Sequence, residues 1–436
     1  MGDLAITDRV KEVEESVGGL WRHGDFLKFW IGQSVSLFGS QISEIATPLI
    51  AVIMLQCSAG DMGLLKAVES LPWLLFGLLA GVWVDRFRRK PVMIITDIGR
   101  ALLLMVVPIA ALAALLSKEL LFFVAFATST LTVFFGVAYQ SYLPSLVGRE
   151  RLIDGNSKLE ASTSAALMAG PGLAGVLVQV LTAPIAIVLD AASFVVSAVF
   201  LGLIRQPEAA PEKSAGEGSN IWKEIGEGLN VVFCHPLLRP LTLFMGTANL
   251  FVTVVWTILP LYIVRDLAMS PALYGVIVAV GTGASLPGAL LSEWVSRRLK
   301  VGRTIVVAGV LSGASTVLLP LSSLWSEAAT PLLMAGLGLS CLVITIANVS
   351  AVSLRQAVTS DRLLGRVNAT SRVIIYGAPL LGALIAGVMG DQMGLPMALL
   401  VGAIGQTLAT LWLVFSPVRA VRELPRSPEA TLGERA

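Results

Sequence analysis

Residues 71–116 read LPWLLFGLLAGVWVDRFRRKPVMIITDIGRALLLMVVPIAALAALL, two apolar runs of helical length joined by a short loop of basic residues. A helix that crosses a bilayer needs about 20 predominantly apolar residues. Similar runs recur along the chain and are apolar on all sides rather than alternating, which favours helices over a transmembrane β-barrel. The stretch therefore predicts a membrane protein built from helices.

The composition of the whole chain supports this prediction. Of the 436 residues, 55% are hydrophobic and 14% are charged, whereas an average globular protein is about 25% charged. Roughly 240 apolar residues, at about 20 per span, predict about twelve spans. The same balance excludes a disordered chain, a collagen and a disulfide-stapled secreted module, and the widely spaced cysteines form no metal motif.

The apolar runs predict the helices, and the polar segments between them predict the domain boundaries. Helices are expected over 26–54, 62–84, 92–116, 120–142, 158–182, 183–204, 237–263, 271–296, 303–324, 327–354, 364–390 and 395–416. Segment 1–25 is polar and lacks the apolar core of a secretory signal, so the first span is retained. The predicted domains are an N-terminal segment over 1–25, a first bundle over 26–204, a linker over 205–236, a second bundle over 237–416 and a tail over 417–436.

Basic residues predict the orientation of the chain. With a cytoplasmic N-terminus, the inner loops carry Arg86, Arg88, Arg89, Lys90, Arg149, Arg151, Arg297, Arg298, Lys300, Arg303, Arg355, Arg362 and Arg366. The outer side carries only Lys66, Lys118 and Arg265. Because cytoplasmic loops are enriched in Lys and Arg, both termini are expected in the cytoplasm.

The two predicted bundles resemble each other in sequence. Arg149–Leu152 is echoed 211 residues later by Ser360–Leu363, and the basic loop Asp85–Lys90 by Ser296–Lys300 at the same separation. Similar loops at a near-constant separation predict duplication of a six-helix unit. The linker between the copies reads RQPEAAPEKSAGEGSN, and after it Trp222, Ile225, Leu229 and Val232 recur at helical spacing, which predicts a short interfacial helix.

Two motifs resemble those of a known transporter superfamily. The loop GVWVDRFRRK over 81–90 resembles the signature loop of the major facilitator superfamily, and ALMAGPGLAG over 166–175 resembles the Gly-Pro motif of its antiporters, with Gly170, Pro171, Gly172 and Gly175. Segments 71–81, 96–101, 190–197 and 228–240 look like the bacterial branch that contains macrolide efflux pumps and the enterobactin exporter. The resemblance extends from about residue 24 to residue 416.

The resemblance implies an all-α membrane protein with twelve transmembrane helices in two pseudo-symmetric six-helix bundles, with the substrate site between them. It also implies a secondary active exporter of hydrophobic or amphipathic small molecules that works by alternating access as a proton antiporter. The sequence departs from the family at three places. Arg88 replaces a glycine, Ser296 stands where the second copy of the loop would carry an acid, and 120–142 contains no Arg. These departures argue against the usual antiporter route of proton coupling.

The resembled fold places helices one, four, seven and ten around the central cavity. Polar and aromatic residues at helical spacing on these helices predict a mixed lining suited to amphipathic cargo. The predicted lining consists of Gln33, Ser36, Ser40, Glu44, Thr128, Thr132, Phe135, Tyr139, Asn249, Thr253, Trp256, Asn348 and Tyr376. The alternative for each residue is a hydrogen bond across a dry helix interface.

Ionisable residues inside predicted spans are candidates for coupling, because a charge at the bilayer centre costs about 2.5–3.5 kcal/mol on insertion scales. Glu44 belongs to a polar stripe on helix one that consists of Gln33, Ser36, Ser40, Glu44 and Thr47. No basic residue lies near its depth on this helix, which makes Glu44 a candidate for proton exchange or cation binding. Asp97 and Arg100 are three residues apart and are predicted either to form a structural ion pair or to take part in coupling. Asp190 is expected to cap or bond a neighbouring helix.

The signature loop predicts a conformational latch made by Gly81, Asp85, Arg86 and Arg89. In the family, the Asp85 carboxylate would face the N-terminus of helix eleven, where the helix dipole favours an anion. The alternative is a solvated turn that only sets the topology. Gly170–Gly175 also matches G-x-G-x-x-G, but the dinucleotide interpretation requires a preceding strand, so close helix packing is expected there and at 77–81 and 309–313.

The sequence predicts no enzyme. The only histidines, His23 and His235, lie in cytoplasmic flanks, and no P-loop or nucleophile motif occurs. We expect no cofactor, no metal and no nucleic acid as partners, and a monomer in the bacterial inner membrane that binds a small-molecule substrate and protons within the lipid bilayer. The alternatives are a siderophore or lipid exporter on the same fold and a membrane sensor that binds ligand without transport.

Overall fold

A computed structural model describes residues 20–84, 86–208, 229–359 and 361–423 of the chain. These residues form helices joined by short loops and contain no β-strand. The long helical segments are α1 Gly24–Met54, α2 Ala59–Val84, α3 Arg89–Leu112, α4 Lys118–Val147, α5 Leu152–Leu181, α6 Ala183–Leu203, α7 Leu238–Asp266, α8 Pro271–Leu299, α9 Val301–Leu324, α10 Ser326–Ala357, α11 Asp361–Met393 and α12 Leu395–Val414.

The predicted helical fold is confirmed, with helix boundaries close to those expected. Within the described ranges, 10 of the segments are long and apolar enough to cross a membrane. The other two, α2 and α11, contain 26 and 33 residues. The number of membrane spans and the side on which the termini lie stay predictions.

The described residues form two compact units. Unit 1 takes its residues from 1–47 and 75–214, and unit 2 from 48–74 and 215–436. The end of α1 and the first part of α2, over 48–74, belong to unit 2 although the sequence assigns them to the first bundle, and the predicted domain boundaries stay a prediction. The predicted interfacial helix lies largely outside the described residues, although Val232 in its last turn is fully buried in the core of unit 2.

Each unit has its own hydrophobic core. Phe26, Phe29 and Tyr142 lie at the centre of the unit 1 core, with the Phe29 and Tyr142 ring centroids 5.7 Å apart. Leu238, Phe244 and other residues of α7, α9 and α10 form the core of unit 2. Close packing of this kind holds transmembrane helices together, because lipid is as apolar as the side chains it would replace.

Local geometry repeats between the two halves at a separation of 212 residues. A π-helical turn ends α1 over Ile50–Met54, and a second ends α7 over Tyr262–Asp266. Two residues after each turn, the backbone adopts a left-handed conformation, at Gln56 with φ of 48° and at Ala268 with φ of 50°. The repeated loops identified in the sequence are therefore accompanied by repeated backbone conformations, which supports the predicted duplication.

The two histidines occupy matching positions 212 residues apart, and each caps a helix. His23 Nδ1 accepts a hydrogen bond from the backbone N–H of Phe26 at the start of α1, with a distance of 3.0 Å. His235 Nδ1 accepts from Leu237 and Leu238 at the start of α7, at 3.2 and 3.3 Å. The first N–H groups of a helix lack partners within the helix, so a side-chain acceptor stabilises its start. Only a neutral imidazole can accept in this way.

We predict that the His235 cap makes the stability of the protein depend on pH. Burial lowers the pKa of His235 below its usual 6.5, so the folded protein binds fewer protons here than the unfolded chain does. The contribution is fully present above pH of about 6.5 and is lost as the pH falls through the lower folded pKa. We expect His235→Asn to reduce this pH dependence, because the side-chain oxygen of asparagine does not titrate and can cap the helix both above and below pH of about 6.5.

The measurement is the apparent melting temperature in detergent, followed by tryptophan fluorescence from pH 8 to pH 5. The wild type should lose more stability on acidification than His235→Asn. Equal pH profiles for the two proteins would remove His235 as the cause. His23→Asn serves as the matched variant at the equivalent cap in unit 1.

Candidate functional site

The polar stripe of α1 divides into a buried and an exposed part. Gln33 is 4% exposed, and its side-chain amide donates to the hydroxyl of Ser197 on α6 at 3.0 Å. Ser36 is also buried, Ser40 is half-buried, and Glu44 is exposed. The first part of the stripe therefore bonds helices within unit 1, whereas Glu44 at its end is open to a ligand or to water.

The predicted stripe on α4 is also partly internal. The Thr132 hydroxyl donates to the Thr128 carbonyl at 2.9 Å. Phe135 is buried, with its ring centroid 4.2 Å from the Arg100 guanidinium carbon. Tyr139 stacks on Phe135 at a ring-centroid distance of 6.2 Å. This packing differs from the predicted cavity lining, because Phe135 serves as an aromatic wall for a buried cation.

The predicted residues of unit 2 are less buried. Asn249 and Trp256 on α7 are half-buried, and Asn348 on α10 is exposed. Thr253 is buried, and its hydroxyl donates to the Asn249 carbonyl at 2.8 Å. The side chain of Tyr376 lies outside the described residues.

The predicted ion pair between Asp97 and Arg100 on α3 is present, with an Arg100 Nη2–Asp97 Oδ1 contact. Both side chains are buried, and the Arg100 guanidinium lies between the rings of Phe135 and Phe194, the latter at 4.0 Å. Asp190 on α6 is 1% exposed and interacts electrostatically with both members of the pair. The sequence predicted that Asp190 bonds a neighbour, but it did not reveal that Asp190 joins the α3 pair.

The described part of the predicted latch is tied to the segment that follows α6. The backbone N–H groups of Arg89 and Lys90 donate to the Glu208 carboxylate at 2.6 and 3.0 Å. The Lys90 ammonium donates to the Ile204 carbonyl at 2.7 Å, at the end of α6. An anion thus meets the N-terminus of α3 and a cation the C-terminus of α6, as the helix dipoles favour. Arg86 is exposed, and Asp85 lies outside the described residues.

The glycine motifs differ in how closely they pack. In the Gly-Pro motif, a Cβ at Gly170 would lie 2.6 Å from Gln41 on α1, so the two helices approach closely. A Cβ at Gly313 would lie 2.1 Å from the Thr407 hydroxyl on α12. At Gly77 and Gly81, in contrast, a Cβ would meet no described atom within 4 Å. The interpretation of 77–81 as a close-packing face is therefore not supported within the described residues. Pro171 and Gly175 are buried, and Gly172 is half-buried.

Unit 2 contains a second carboxylate at a helix start, which the sequence analysis missed. Asp391 near the end of α11 accepts hydrogen bonds from the backbone N–H groups of Ala59 and Gly60, both at 3.0 Å, at the start of α2. Arg265 near the end of α7 donates to the carbonyl of Cys57 at 2.8 Å. A Cβ on Gly63 would lie 2.5 Å from the Ala383 carbonyl, so α2 and α11 approach closely here.

A cavity of about 970 Å³ opens in unit 2 between α8, α10 and the C-terminal segment. Four serines and three basic residues are part of its lining, namely Ser292, Ser296, Ser350, Ser353, Arg297, Lys300 and Arg422. Ser296 and Ser350 bond each other at 3.0 Å. Ser296 is the residue that replaces the acid in the second copy of the basic loop, and here it forms part of a neutral hydroxyl wall.

Solved structures with a similar fold are transporters. The chain superposes on the nucleoside transporter NupG with a TM-score of 0.71 at 13% identity, covering 89% of this chain and 98% of NupG. A bacterial homologue of the iron transporter ferroportin in the inward-facing state gives a TM-score of 0.69 at 17% identity, over 89% and 98% of the two chains. At these identities the similarity establishes the fold alone.

Relatives in sequence include efflux pumps. Multidrug efflux pump Tap of Mycolicibacterium fortuitum is 27% identical over 401 residues, which cover 88% of this chain and 93% of Tap. Macrolide efflux protein A of Streptococcus pyogenes is 28% identical over 227 residues, which cover 52% of this chain and 55% of that protein.

The transmembrane secretion effector family matches residues 19–435, nearly the whole chain. The members and relatives found here are transporters rather than enzymes, and the helices described above are long and apolar enough for a multi-pass membrane protein. This chain belongs to the transmembrane secretion effector family of the major facilitator superfamily.

Proposed function

We propose that the protein is a proton-coupled exporter of hydrophobic or amphipathic small molecules in the bacterial inner membrane. The observation that carries this proposal is the full-length similarity to a multidrug efflux pump, combined with the match to a secretion effector family. An efflux pump without an ATP site must draw on an ion gradient, and a proton gradient is the simplest source. The protein works as a monomer.

The exposed polar residues support a path for amphipathic cargo. Ser40 and Glu44 on α1, Asn249 on α7 and Asn348 on α10 are at least partly accessible, and we propose that they line this path. Gln33 and Phe135 are omitted, because both are committed to packing inside unit 1. The cavity between α8 and α10 has the volume of a drug-sized site, about 300–1,000 Å³, and we propose that it forms part of the cytoplasmic entrance.

The contacts of α2 support a mechanism of alternating access. Asp391 holds the start of α2, which the predicted topology places on the outer side of the membrane, and the signature loop with Asp85 follows the other end of α2. We propose that the contact between Asp391 and the start of α2 must open when cargo leaves, and that Asp85 acts as the latch predicted from the signature loop. Arg265, which binds the carbonyl of Cys57, strengthens the same closure.

The main test measures the flux of two probes, ethidium and erythromycin, across the membrane of proteoliposomes with an imposed pH gradient. We expect efflux of at least one probe that stops when the pH gradient is collapsed. Binding without any movement of probe would favour the sensor. Transport of a siderophore or a lipid, with no transport of either probe, would favour a siderophore or lipid exporter.

We predict that Glu44→Gln abolishes pH-driven ethidium efflux while leaving ethidium binding measurable. The exposed carboxylate of Glu44 is on the proposed path and is accessible to protons, and the amide keeps its size but cannot be ionised. Glu327→Gln is the matched control, because Glu327 is also exposed but lies in the 3-10 turn Ser326–Ala328 at the start of α10, away from the proposed path. Wild-type proton-coupled flux in Glu44→Gln would remove this residue from the mechanism.

We predict that Asp391→Ala shifts the protein toward an outward-open state. The lost interaction of a carboxylate with a helix N-terminus is worth about 0.3–1 kcal/mol when the carboxylate is exposed, as Asp391 is, which corresponds to roughly two- to five-fold in population. The buried thiol of Cys57 reports on this opening. In a Cys234→Ser, Cys341→Ser background, the rate of Cys57 labelling by an impermeant maleimide should rise by that factor.

The matched control for this labelling experiment is Gln392→Ala, which alters the adjacent exposed residue and keeps the Asp391 carboxylate. An unchanged labelling rate in Asp391→Ala would show that the contact does not hold the closure. A rise of equal size in Gln392→Ala would attribute the effect to a general loosening of α11.

A further inference from the structure

Three charged side chains are buried together inside unit 1. Asp97 and Arg100 on α3 and Asp190 on α6 are 0%, 4% and 1% exposed. Within the described residues, the electrostatic partners of Asp190 are Arg100 and Asp97. Fully ionised, the cluster carries a net charge of −1, with two carboxylates and one guanidinium. A dry interior strongly disfavours such an uncompensated charge.

The second half of the chain shows that this scaffold does not require the charges. The positions 212 residues after Asp97, Arg100 and Asp190 are Gly309, Ser312 and Gly402. Ser312 forms a neutral hydrogen bond with Ser340, with the hydroxyl oxygens 3.1 Å apart. A Cβ on Gly402 would lie 2.7 Å from the Val255 side chain, so an apolar group fills the equivalent space.

The contact between the first and sixth helix of each half shows the same substitution. In unit 1, a Cβ on Gly39 of α1 would lie 2.1 Å from Ser193 Oγ and 2.8 Å from Asp190 Oδ1. In unit 2, the equivalent pair is Phe251 and Gly405, and a Cβ on Gly405 would lie 2.2 Å from the Phe251 ring. This helix contact is therefore apolar in unit 2, whereas polar and charged groups form it in unit 1. Because a buried ion pair seldom stabilises a fold better than apolar packing does, we attribute the charges to function.

We propose that Asp97, Arg100 and Asp190 form a second, buried proton-binding site of the transporter in addition to the exposed Glu44, with Asp190 as the carboxyl that holds the proton in this cluster. The proposal rests on the proton-coupled efflux proposed above. Asp97 contacts the guanidinium directly and is the ionised partner of Arg100. One bound proton makes Asp190 a neutral carboxyl and brings the cluster to zero net charge.

Among the described residues around Asp190, Arg100 is the only cation. On its own helix, Ser193 Oγ lies 3.1 Å from Asp190 Oδ1. Helix α1 contributes Gly39 and Ser43, neither of which is charged. Helix α3 contributes Asp97 and Arg100. The charge balance at Asp190 is therefore set by the two α3 residues.

Helix α1 can connect proton exchange to cargo. It covers Asp190 through Gly39, and Gln33 on the same helix bonds Ser197, whose hydroxyl interacts with the Asp97 carboxylate. The same helix carries Ser40 and Glu44 on the proposed cargo path. If cargo displaces α1, water reaches Asp190. The carboxyl group of Asp190 then transfers its proton to that water, and the net charge of the cluster changes from zero to −1. Closure of α1 over the site then requires uptake of a proton.

The first test counts protonated carboxyl groups directly and does not need a substrate. Infrared spectra of the purified full chain at pH 7 are recorded in H2O and D2O, because the carbonyl stretch of a protonated carboxyl shifts on deuteration. We expect Asp190→Asn to lose one such band relative to wild type, and the surface control Glu327→Gln to keep it. An unchanged band in Asp190→Asn overturns the proposal.

Two further variants test the charge count itself. Asp97→Asn removes the ionised partner, so Asp190 should ionise beside Arg100 and the band should disappear. Arg100→Gln removes the cation, so both carboxyls should be protonated and the band should grow. Retention of the wild-type band in Asp97→Asn overturns the proposal even if Arg100→Gln does not fold.

The second test connects the proton to transport. In proteoliposomes, Asp190→Asn should lose ethidium efflux driven by a pH gradient, whereas the surface control Glu327→Gln should keep wild-type efflux. Wild-type gradient-driven efflux in Asp190→Asn contradicts the inference and leaves the proposed function standing. A wild-type protein without proton-driven efflux contradicts the proposed function, and the infrared spectra still decide whether Asp190 holds a proton.

Discussion

The hydrocarbon interior of a bilayer offers no hydrogen-bond partner to a peptide group and no solvation to a charge. Helices satisfy their own backbone along most of their length, but each end leaves N–H or C=O groups exposed. In this chain, side chains from distant parts of the sequence bind the free backbone groups at several helix ends. Glu208 binds the start of α3, Asp391 the start of α2, and Lys90 the carbonyl of Ile204 at the end of α6. These contacts position the helices that carry the candidate site.

Two of these contacts involve segments that move in the proposed mechanism. The Asp391 carboxylate of α11 binds the start of α2, and Glu208 from the segment after α6 binds the start of α3, directly after the signature loop. A charge at a helix end is a modest interaction, worth up to about 2 kcal/mol. Contacts of that size can hold one state and still yield to the binding of cargo.

The two halves share their backbone geometry but not their polar interior. The matching π-helical turns, left-handed residues and histidine caps show that the repeat is preserved in shape. At the equivalent position of the helix bundle, unit 1 buries Asp97, Arg100 and Asp190, whereas unit 2 buries hydroxyl groups and apolar side chains. A scaffold duplicated in this way can keep its fold in both copies and reserve ionisable chemistry for one.

By itself, the sequence determined the helical membrane fold and its approximate boundaries, because 20-residue apolar runs have few other stable arrangements in lipid. It also determined the Asp97–Arg100 pair, since residues three apart share a helix face. Only the tertiary structure decided that Asp190 completes that pair, that Gln33 and Phe135 turn into unit 1, and that Asp391 meets α2. These contacts join residues far apart in the chain, and their formation depends on helix rotation and tilt, which are fixed by packing between neighbours rather than by the periodicity of any one helix.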